Sequence, residues 1–358
     1  MRPILTKLPP ILSSIPPQAP STPEQIHTAA SEWTLRGITL LEQGDPESLA
    51  TALACFEEAI LLREALPLGD NPLYRWGLTA GWMNRGDALT RLGGQDHLTE
   101  ALRCYDIAIS HLHQLPLEAD PAFRWRLGVA WINRGHTEQA GASQGSLQRA
   151  LSCFENALRV MRGHETSPRL DYQQVMAAAW TNHAAALLQI QEQDVLALNS
   201  ARRAIQHSQS CEHEPSLQET GIRARHALCR AIANLLESPS DKNADTAEAW
   251  IHEATDAVED VMRLTQAAPS RHPLREEIFL FGCRIYRAFQ PHFLAEFLDE
   301  GLASGTLSEA MKTSARASLT QAAAQIQNEN LASLNPEKLD RLIQTLQALS
   351  ETSQKLRA

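Results

Sequence analysis

The chain of 358 residues carries 42 acidic and 32 basic side chains, which gives a formal net charge of −10. Nucleic acid is disfavoured as the main partner, because phosphate binding requires concentrated Lys and Arg. No apolar run reaches the roughly 18 residues that a membrane span needs. The six cysteines form no CxxC pair, so we expect free thiols in a cytoplasmic protein rather than a disulfide framework.

A proline-rich tail is predicted for residues 1–22, which contain six prolines. Proline removes a backbone donor and breaks helices, so the segment is expected to be extended or flexible. The prolines also interrupt any apolar core of a secretory signal. Residues 3–17 are nevertheless apolar, so docking on a partner or on a membrane surface is an alternative to a flexible leader.

The body of the chain repeats with a period of 49 residues. Six of the seven tryptophans obey this register: Trp33, Trp82, Trp131 and Trp180 in one series, Trp76 and Trp125 in another. A second series follows in the other half of each unit: Ala52, Phe56 and Ala59, then Ala101, Tyr105 and Ala108, then Ala150, Phe154 and Ala157. A fixed period of this length indicates a repeat architecture.

The spacing within each half of the repeat is helical. Leu78, Trp82, Gly86 and Leu89 are separated by steps of four, four and three, which places them on one helix face. Trp and Gly in a first helix, followed by Ala, aromatic and Ala in a second, resemble the tetratricopeptide repeat over residues 23–268. The resemblance implies an all-α, right-handed superhelical solenoid of helical hairpins. We expect Trp82 and Trp131 to be buried between helices.

Three regions are therefore predicted. The flexible tail of residues 1–22 precedes five hairpins over residues 23–268, of which the last is eroded. Residues 269–358 are expected to form capping helices that cover the apolar end of the array. They include a Phe-rich segment, 279–297, and two final helices. The leucine stripe of the last helix is predicted to pack against its neighbour rather than to dimerise, which favours a monomer.

Two stretches imitate catalytic or metal sites. Residues 141–145, GASQG, match the GxSxG nucleophile motif, but no strand precedes them and they fall in a predicted hairpin turn. His207, Cys211 and His213 have metal-like spacing without a fourth ligand. We therefore predict no enzyme activity, no cofactor and no metal.

The candidate partner-binding residues lie just after the tryptophan of each repeat. Asn84, Asn133 and Asn182 each come two residues after a tryptophan. In peptide-binding tetratricopeptide domains an Asn at this place bonds the peptide backbone, and the resemblance implies that role here. The alternative is an Asn that bonds only to the neighbouring helix.

Further candidates flank this series. Arg85 and Arg134 stand where a buried Leu is usual in the family, so they are expected to pair with acidic side chains of an adjacent helix, with a ligand carboxylate as the alternative. Met83 and Asp87 complete the candidate surface. The chaperone-tail clamp of some relatives requires a Lys directly after the Trp. No unit has one there, which disfavours that ligand class.

A narrower resemblance appears in ILLREALPLGDNPLY, residues 60–74, which is similar to the inter-repeat segment of kinesin light chains. It implies an adaptor that recognises a peptide, and the bacterial character of the composition suggests a tubulin-like filament as partner. The 49-residue unit and the missing heptad coiled coil depart from that family. A peptide-gated regulator is the alternative, but no effector domain is visible in the sequence.

Overall fold

The computed structural model describes residues 22–141, 143–209, 213–237, 244–265, 272–303, 307–327 and 336–356. Within these ranges the chain forms fourteen α-helices and no strand, so the predicted all-α class is confirmed. None of these helices is long and apolar enough to cross a membrane. The predictions for the N-terminal tail lie outside the described residues, apart from Thr22.

The chain divides into two compact units, Met1–Cys153 and Phe154–Ala358. The first unit holds five whole helices and the start of a sixth: α1 (Pro23–Gln43), α2 (Pro46–Glu64), α3 (Pro72–Leu92), α4 (Gln95–Leu112), α5 (Pro121–Ala140) and α6 (Gln144–Val160). The second unit holds the rest of α6 and eight more: α7 (Leu170–Leu187), α8 (Asp194–Gln209), α9 (Pro215–Glu237), α10 (Ala244–Leu264), α11 (Pro273–Phe289), α12 (Pro291–Ala303), α13 (Glu309–Gln327) and α14 (Pro336–Lys355).

The hairpin boundaries follow from local sequence chemistry. Gly44 ends α1 with a φ of 76°, a left-handed conformation that favours glycine. Asp45 then accepts hydrogen bonds from the backbone N–H groups of Glu47 and Ser48, and Pro46 opens α2. Before α3, Asn71 caps and Pro72 takes the first helical position, and Asp120 and Pro121 repeat this arrangement one period later. A polar cap followed by proline is the expected start signal of a helix.

In the first unit each helix packs against the next, and α3 also contacts α1 and α5. The odd-numbered helices therefore form one layer and the even-numbered helices the other. Between the layers, Phe56 and Tyr105 are almost fully buried. A Cβ placed on Gly86 would lie 2.9 Å from Tyr105 Cζ, so the glycine admits the ring. This confirms the predicted pairing of small residues with aromatic rings.

The repeat tryptophans are not fully enclosed, which corrects the expectation for Trp82 and Trp131. All four members of the main series are half-buried. The enclosed position is the residue that follows each of them: Thr34, Met83, Ile132 and Thr181. The ring of Trp82 instead lies beside the Arg85 guanidinium, with 5.9 Å between Cζ and the ring centroid.

The second unit continues as hairpins: α7 with α8, α9 with α10, α11 with α12 and α13 with α14. In the Phe-rich segment, Phe279 and Phe297 are buried and stack at 5.4 Å, whereas Phe289 and Phe293 are about half exposed. The last helix, α14, packs on α12 and α13 within the same chain, as predicted. Leu349 and Leu356 of this helix are buried.

Candidate functional site

Arg85 shows which side of α3 faces the even-numbered helices. Its Nη1 donates to Glu100 Oε1 of α4 at 2.7 Å and to the Cys104 sulfur at 2.9 Å, and its Nε and Nη2 donate to Glu57 Oε1 of α2, both at 3.3 Å. The predicted pairing of Arg85 with acidic side chains of adjacent helices is confirmed. Its guanidinium already donates to these groups, so the structure does not favour the alternative role with a ligand carboxylate.

Arg134 repeats this arrangement one period later. Its Nε donates to Asp106 Oδ1 at 2.7 Å, and its Nη1 contacts Glu138 Oε1 at 3.3 Å and the Cys153 sulfur at 3.1 Å. Glu57 and Asp106 both lie 28 residues before their arginine, and the two cysteines both lie 19 residues after it. The pairing with adjacent acidic residues is confirmed here as well.

The electrostatics of these clusters identify them as structural. Burial alone would lower the pKa of Arg85, but hydrogen bonding and charge from Glu100, Cys104 and Glu57 raise that pKa above its ordinary value. Burial raises the pKa of the Cys104 thiol despite the nearby Arg85. A protonated, buried thiol is a poor nucleophile. The clusters join neighbouring helices and offer no reactive group.

Within the second unit, His183 takes the place of the arginine. Its Nδ1 lies 3.0 Å from Ser200 Oγ, and its Nε2 lies 3.9 Å from Glu155 Oε1. Glu155 again precedes it by 28 residues. Burial lowers the pKa of His183, although Glu155 opposes the shift.

Asn84 and Asn133 differ from the arginines in having open amides. Both residues are half-buried. Across the part of the chain that the structure describes, neither side-chain amide makes a hydrogen bond. A helix turns about 100° per residue, so Asn84 lies about a quarter turn from Arg85. Its amide therefore lies away from the contacts that Arg85 makes with α2 and α4.

Asn182 and Met83 do not share this exposure, which corrects two of the sequence expectations. Asn182 is only 6% exposed and Met83 only 8%. Met83 occupies the position after the tryptophan, which is enclosed in each of the four repeats that carry this tryptophan. Asn182 belongs to α7, where six of the 18 residues are alanine. Short side chains let neighbouring helices approach closely, which accounts for the burial of Asn182.

Asp87 lies on the same side of α3 as Asn84, one turn later. It is partly exposed and pairs with Arg91, with 3.0 Å between Arg91 Nη2 and Asp87 Oδ2. Arg91 also donates to the backbone oxygen of Leu41 in α1, at 3.2 Å. Asp87 therefore remains within reach of a partner while its charge is balanced.

Leu35 is a surface residue that the sequence reasoning missed. It precedes Asn84 by one period and stands two residues after Trp33. Its side chain is 67% exposed, a high value for leucine. The register itself would have identified this position had it been followed irrespective of residue type. In the first unit one row thus presents Leu35, Asn84 and Asn133 on successive odd-numbered helices.

The stretches that imitate catalytic or metal sites have structural roles. Ser143 lies just before α6 and accepts a hydrogen bond from the Ser146 backbone N–H at 3.1 Å, so the GxSxG match is a helix cap in a hairpin turn. His207 Nδ1 lies 2.8 Å from Gln173 Oε1. Cys211 lies outside the described residues, and among those described no cluster of three metal-ligating side chains occurs.

Comparison with known proteins finds a similarity only among solved structures. No protein-family model matches it, and no curated protein does. Among solved structures it is similar to a circular tandem repeat protein with novel repeat topology and enhanced subunit contact surfaces. That likeness has 14% sequence identity and a TM-score of 0.32, and it covers 94% of this chain and 85% of the other.

Proposed function

We propose that this protein is a non-enzymatic adaptor of the tetratricopeptide type, which binds an extended peptide segment of a protein partner. The binding surface is the row of Leu35, Asn84 and Asn133 on α1, α3 and α5, with Asp87 beside it. The observation that carries the proposal is the pair of unbonded amides one repeat apart. Each amide offers both a donor and an acceptor, which is what a peptide backbone requires.

The spacing of the row suits an extended chain. Helices in direct contact lie about 8–10 Å apart, and an extended peptide rises about 3.3 Å per residue. Neighbouring asparagines would therefore meet peptide groups about three residues apart. At one end of the row, Leu35 would contact an apolar side chain of the peptide, because removing its exposed surface from water is favourable.

A narrower proposal is a relationship to kinesin light chains, which rests on the resemblance of residues 60–74 to their inter-repeat segment. Residues 66–70, LPLGD, and residues 115–119, LPLEA, form equivalent turns one period apart. In the first turn Asp70 N–H donates to the Pro67 oxygen at 3.1 Å, and in the second Ala119 N–H donates to the Pro116 oxygen at 2.9 Å. On this relationship the partner is a cargo-type peptide or a subunit of a tubulin-like filament. We place the adaptor in the cytoplasm, since all five cysteines within the described ranges are free thiols.

A peptide-display selection tests the proposal while the partner is still unidentified. Peptides selected on the wild-type protein are titrated by calorimetry against Asn84→Ala, Asn133→Ala and the double variant. Each neutral hydrogen bond contributes about 0.5–1.5 kcal/mol, so a single change should weaken binding roughly tenfold or less. The double change should weaken it further.

Two matched controls make the test specific. Asn199→Ala removes an exposed amide from α8, an even-numbered helix, and should leave the affinity unchanged. Leu35→Ser should weaken binding without removing an amide. Selected peptides that bind the double asparagine variant as tightly as the wild type would refute the proposed surface.

A further inference from the structure

Arg63 is a buried cation without a counter-charge. It lies in the last turn of α2 and is only 3% exposed. Its Nη1 donates to Thr34 Oγ1 at 2.8 Å and its Nη2 to Ser31 Oγ at 3.3 Å, both on α1. Its Nε is buried with no hydrogen-bond partner. No carboxylate in the described ranges lies within ion-pair distance of it.

Arg126 of α5 is a second cation without a carboxylate partner, although it is only half-buried. Its Nη1 donates to the Trp76 backbone oxygen at 2.7 Å, and its Cζ lies 3.1 Å from the centroid of the Trp76 ring. Trp76 in turn packs against Phe123, with ring centroids 5.5 Å apart. Among the described residues, no carboxylate forms an ion pair with Arg126 either.

The repeat register relates these two arginines. Arg126 lies one period after Gly77, and a Cβ on Gly77 would lie 2.8 Å from Arg63 Nε. Arg63 therefore fills the space of the side chain that Gly77 lacks. The two arginines thus pack on adjacent residues of α3, Arg63 against Gly77 and Arg126 against Trp76.

His27 of α1 adds an unbonded nitrogen to this cluster. Its ring packs on Tyr74 at a centroid distance of 5.5 Å, and its Nδ1 is buried without a partner. Burial and the positive charge of Arg63 both lower the pKa of His27, so it is neutral at pH 7. Burial and the charge of Arg63 also lower the pKa of Arg126, to about 9, and burial lowers that of Arg63 to about 10. Both arginines remain charged at neutral pH, and Arg63 lies within electrostatic reach of both His27 and Arg126.

This arrangement differs from those of Arg225, Arg85 and Arg134. Arg225, in the second unit, is 1% exposed and has Asp260 Oδ2 at 2.8 Å from its Nη2. Arg85 and Arg134 have two carboxylates each. A buried charge is strongly unfavourable unless it is paired. Arg63 is such a buried, unpaired charge, and the half-buried Arg126 adds a second positive charge, so together they favour an anion from outside the chain.

We propose that Arg63, Arg126 and His27 form a binding site for a small free oxyanion, for which dianionic phosphate is the best charge match. Guanidinium groups bind phosphate oxygens through charge and paired N–H donors, and no carboxylate of the described residues competes for the charge of Arg63 or Arg126. Solvent reaches the site, because Ser31 is exposed and Arg126, Trp76 and His27 are only half-buried. The site is independent of the proposed adaptor role.

Calorimetric titration of the full chain with inorganic phosphate, at pH 7 and constant ionic strength, tests the proposal. The wild type should bind one phosphate saturably. Arg63→Met and Arg126→Met should each weaken binding tenfold or more, since a charge-assisted hydrogen bond contributes about 1.5–3 kcal/mol. Arg91→Met, which removes a half-exposed and paired arginine from the same unit, should bind as the wild type does.

Tryptophan fluorescence supplies a second measurement that does not depend on the stability of the arginine variants. An anion that engages Arg126 alters the charge over the Trp76 ring, so phosphate should change the emission of the wild type and not that of Trp76→Phe. Acetate at the same ionic strength should bind more weakly, because it carries one charge. The proposal fails if phosphate gives no saturable heat, or if Arg63→Met and Arg126→Met bind it as tightly as Arg91→Met.

Discussion

Arg85 donates a hydrogen bond from its Nη1 to the sulfur of Cys104, 2.9 Å away. The same contact recurs between Arg134 and Cys153 at 3.1 Å. Arg85 also pairs with Glu57 and Glu100 of neighbouring helices, whereas Arg134 pairs with Asp106 of α4 and with Glu138 of its own helix. The polar residues that follow the repeat tryptophan thus fall into two groups. The arginines join helices of adjacent layers, whereas the asparagines beside them keep unbonded amides.

The first prediction concerns the stability that Arg85 provides. Its side chain is 16% exposed, and its partners Glu57 and Glu100 are more open to solvent. Water can therefore solvate the carboxylates when the arginine is removed, which limits the penalty. Arg85→Met should lower the free energy of unfolding by about 1–3 kcal/mol, measured by urea denaturation.

Arg91→Met is the matched control for this change. Arg91 lies on the same helix with its side chain 48% exposed, and surface substitutions usually stay within about 0.5 kcal/mol. Equal effects of the two substitutions would show that the Arg85 cluster contributes no more than an exposed ion pair.

The second prediction concerns the close approach of α3 and α4 at Gly86. A Cβ there would lie 2.9 Å from Tyr105 Cζ, and Tyr105 is 1% exposed. Gly86→Ala should destabilise the protein by about 1–3 kcal/mol, the usual cost of overpacking. Gly69→Ala should be nearly neutral, because nothing lies within 4 Å of its Cβ position. Combining Gly86→Ala with Tyr105→Leu should restore part of the loss, and thermal melts of the three variants provide the measurement.

The third prediction concerns acid sensitivity. Burial lowers the pKa of four histidines below the ordinary 6.5: His27, His111, His183 and His207. As the pH falls through 6.5, the unfolded chain takes up protons at these positions and the folded chain does not. The stability should therefore be fully present above about pH 6.5 and decline below it.

Urea denaturation at about pH 7.5 and about pH 5.5 measures this decline. His183→Gln should reduce it, since glutamine keeps a polar group near Ser200 but does not titrate in this range. Stability that increases on acidification would contradict the sign of the expected shifts.

The sequence predicted the hairpins well because the period of 49 residues and the cap signals are local features. Asn71 and Pro72, or Asp120 and Pro121, set helix starts through their own backbone chemistry. The pairing of Gly86 with Tyr105 was also predictable, since both recur in register with equivalent residues.

The candidate site was less predictable, because a period identifies equivalent positions but not their neighbours. Asn84 and Asn182 share a register position, yet Asn182 is buried in the alanine-rich helix α7. The half-burial of Trp82 depends on the Arg85 guanidinium beside its ring. Leu35 escaped notice because its residue type differs from that of Asn84. The Arg63 and Arg126 pair has no sequence signature, since these side chains come from different helices and pack on Gly77 and Trp76 of α3.

The last prediction compares two buried arginines. Removal of Arg225 takes away the buried partner of Asp260, which keeps its ion pair with the more exposed Arg263. Breaking a buried ion pair usually costs about 3–5 kcal/mol. Asp260 is 33% exposed, so Arg225→Met should destabilise the protein by about 3 kcal/mol, at the lower end of that range.

Arg63 is not paired with a carboxylate, so Arg63→Met leaves no buried carboxylate without a partner. The change removes an uncompensated charge and replaces it with an apolar side chain of similar length. In a phosphate-free buffer of low ionic strength, this change should be nearly neutral or stabilising, with lost bonds to Thr34 and Ser31 offset by the relieved charge. Added phosphate should then stabilise the wild type relative to Arg63→Met by mass action. Guanidinium hydrochloride would obscure this comparison through its own ions, so urea is the denaturant of choice. If Arg63→Met destabilises the protein as much as Arg225→Met does without phosphate, Arg63 is compensated within the chain and needs no external anion.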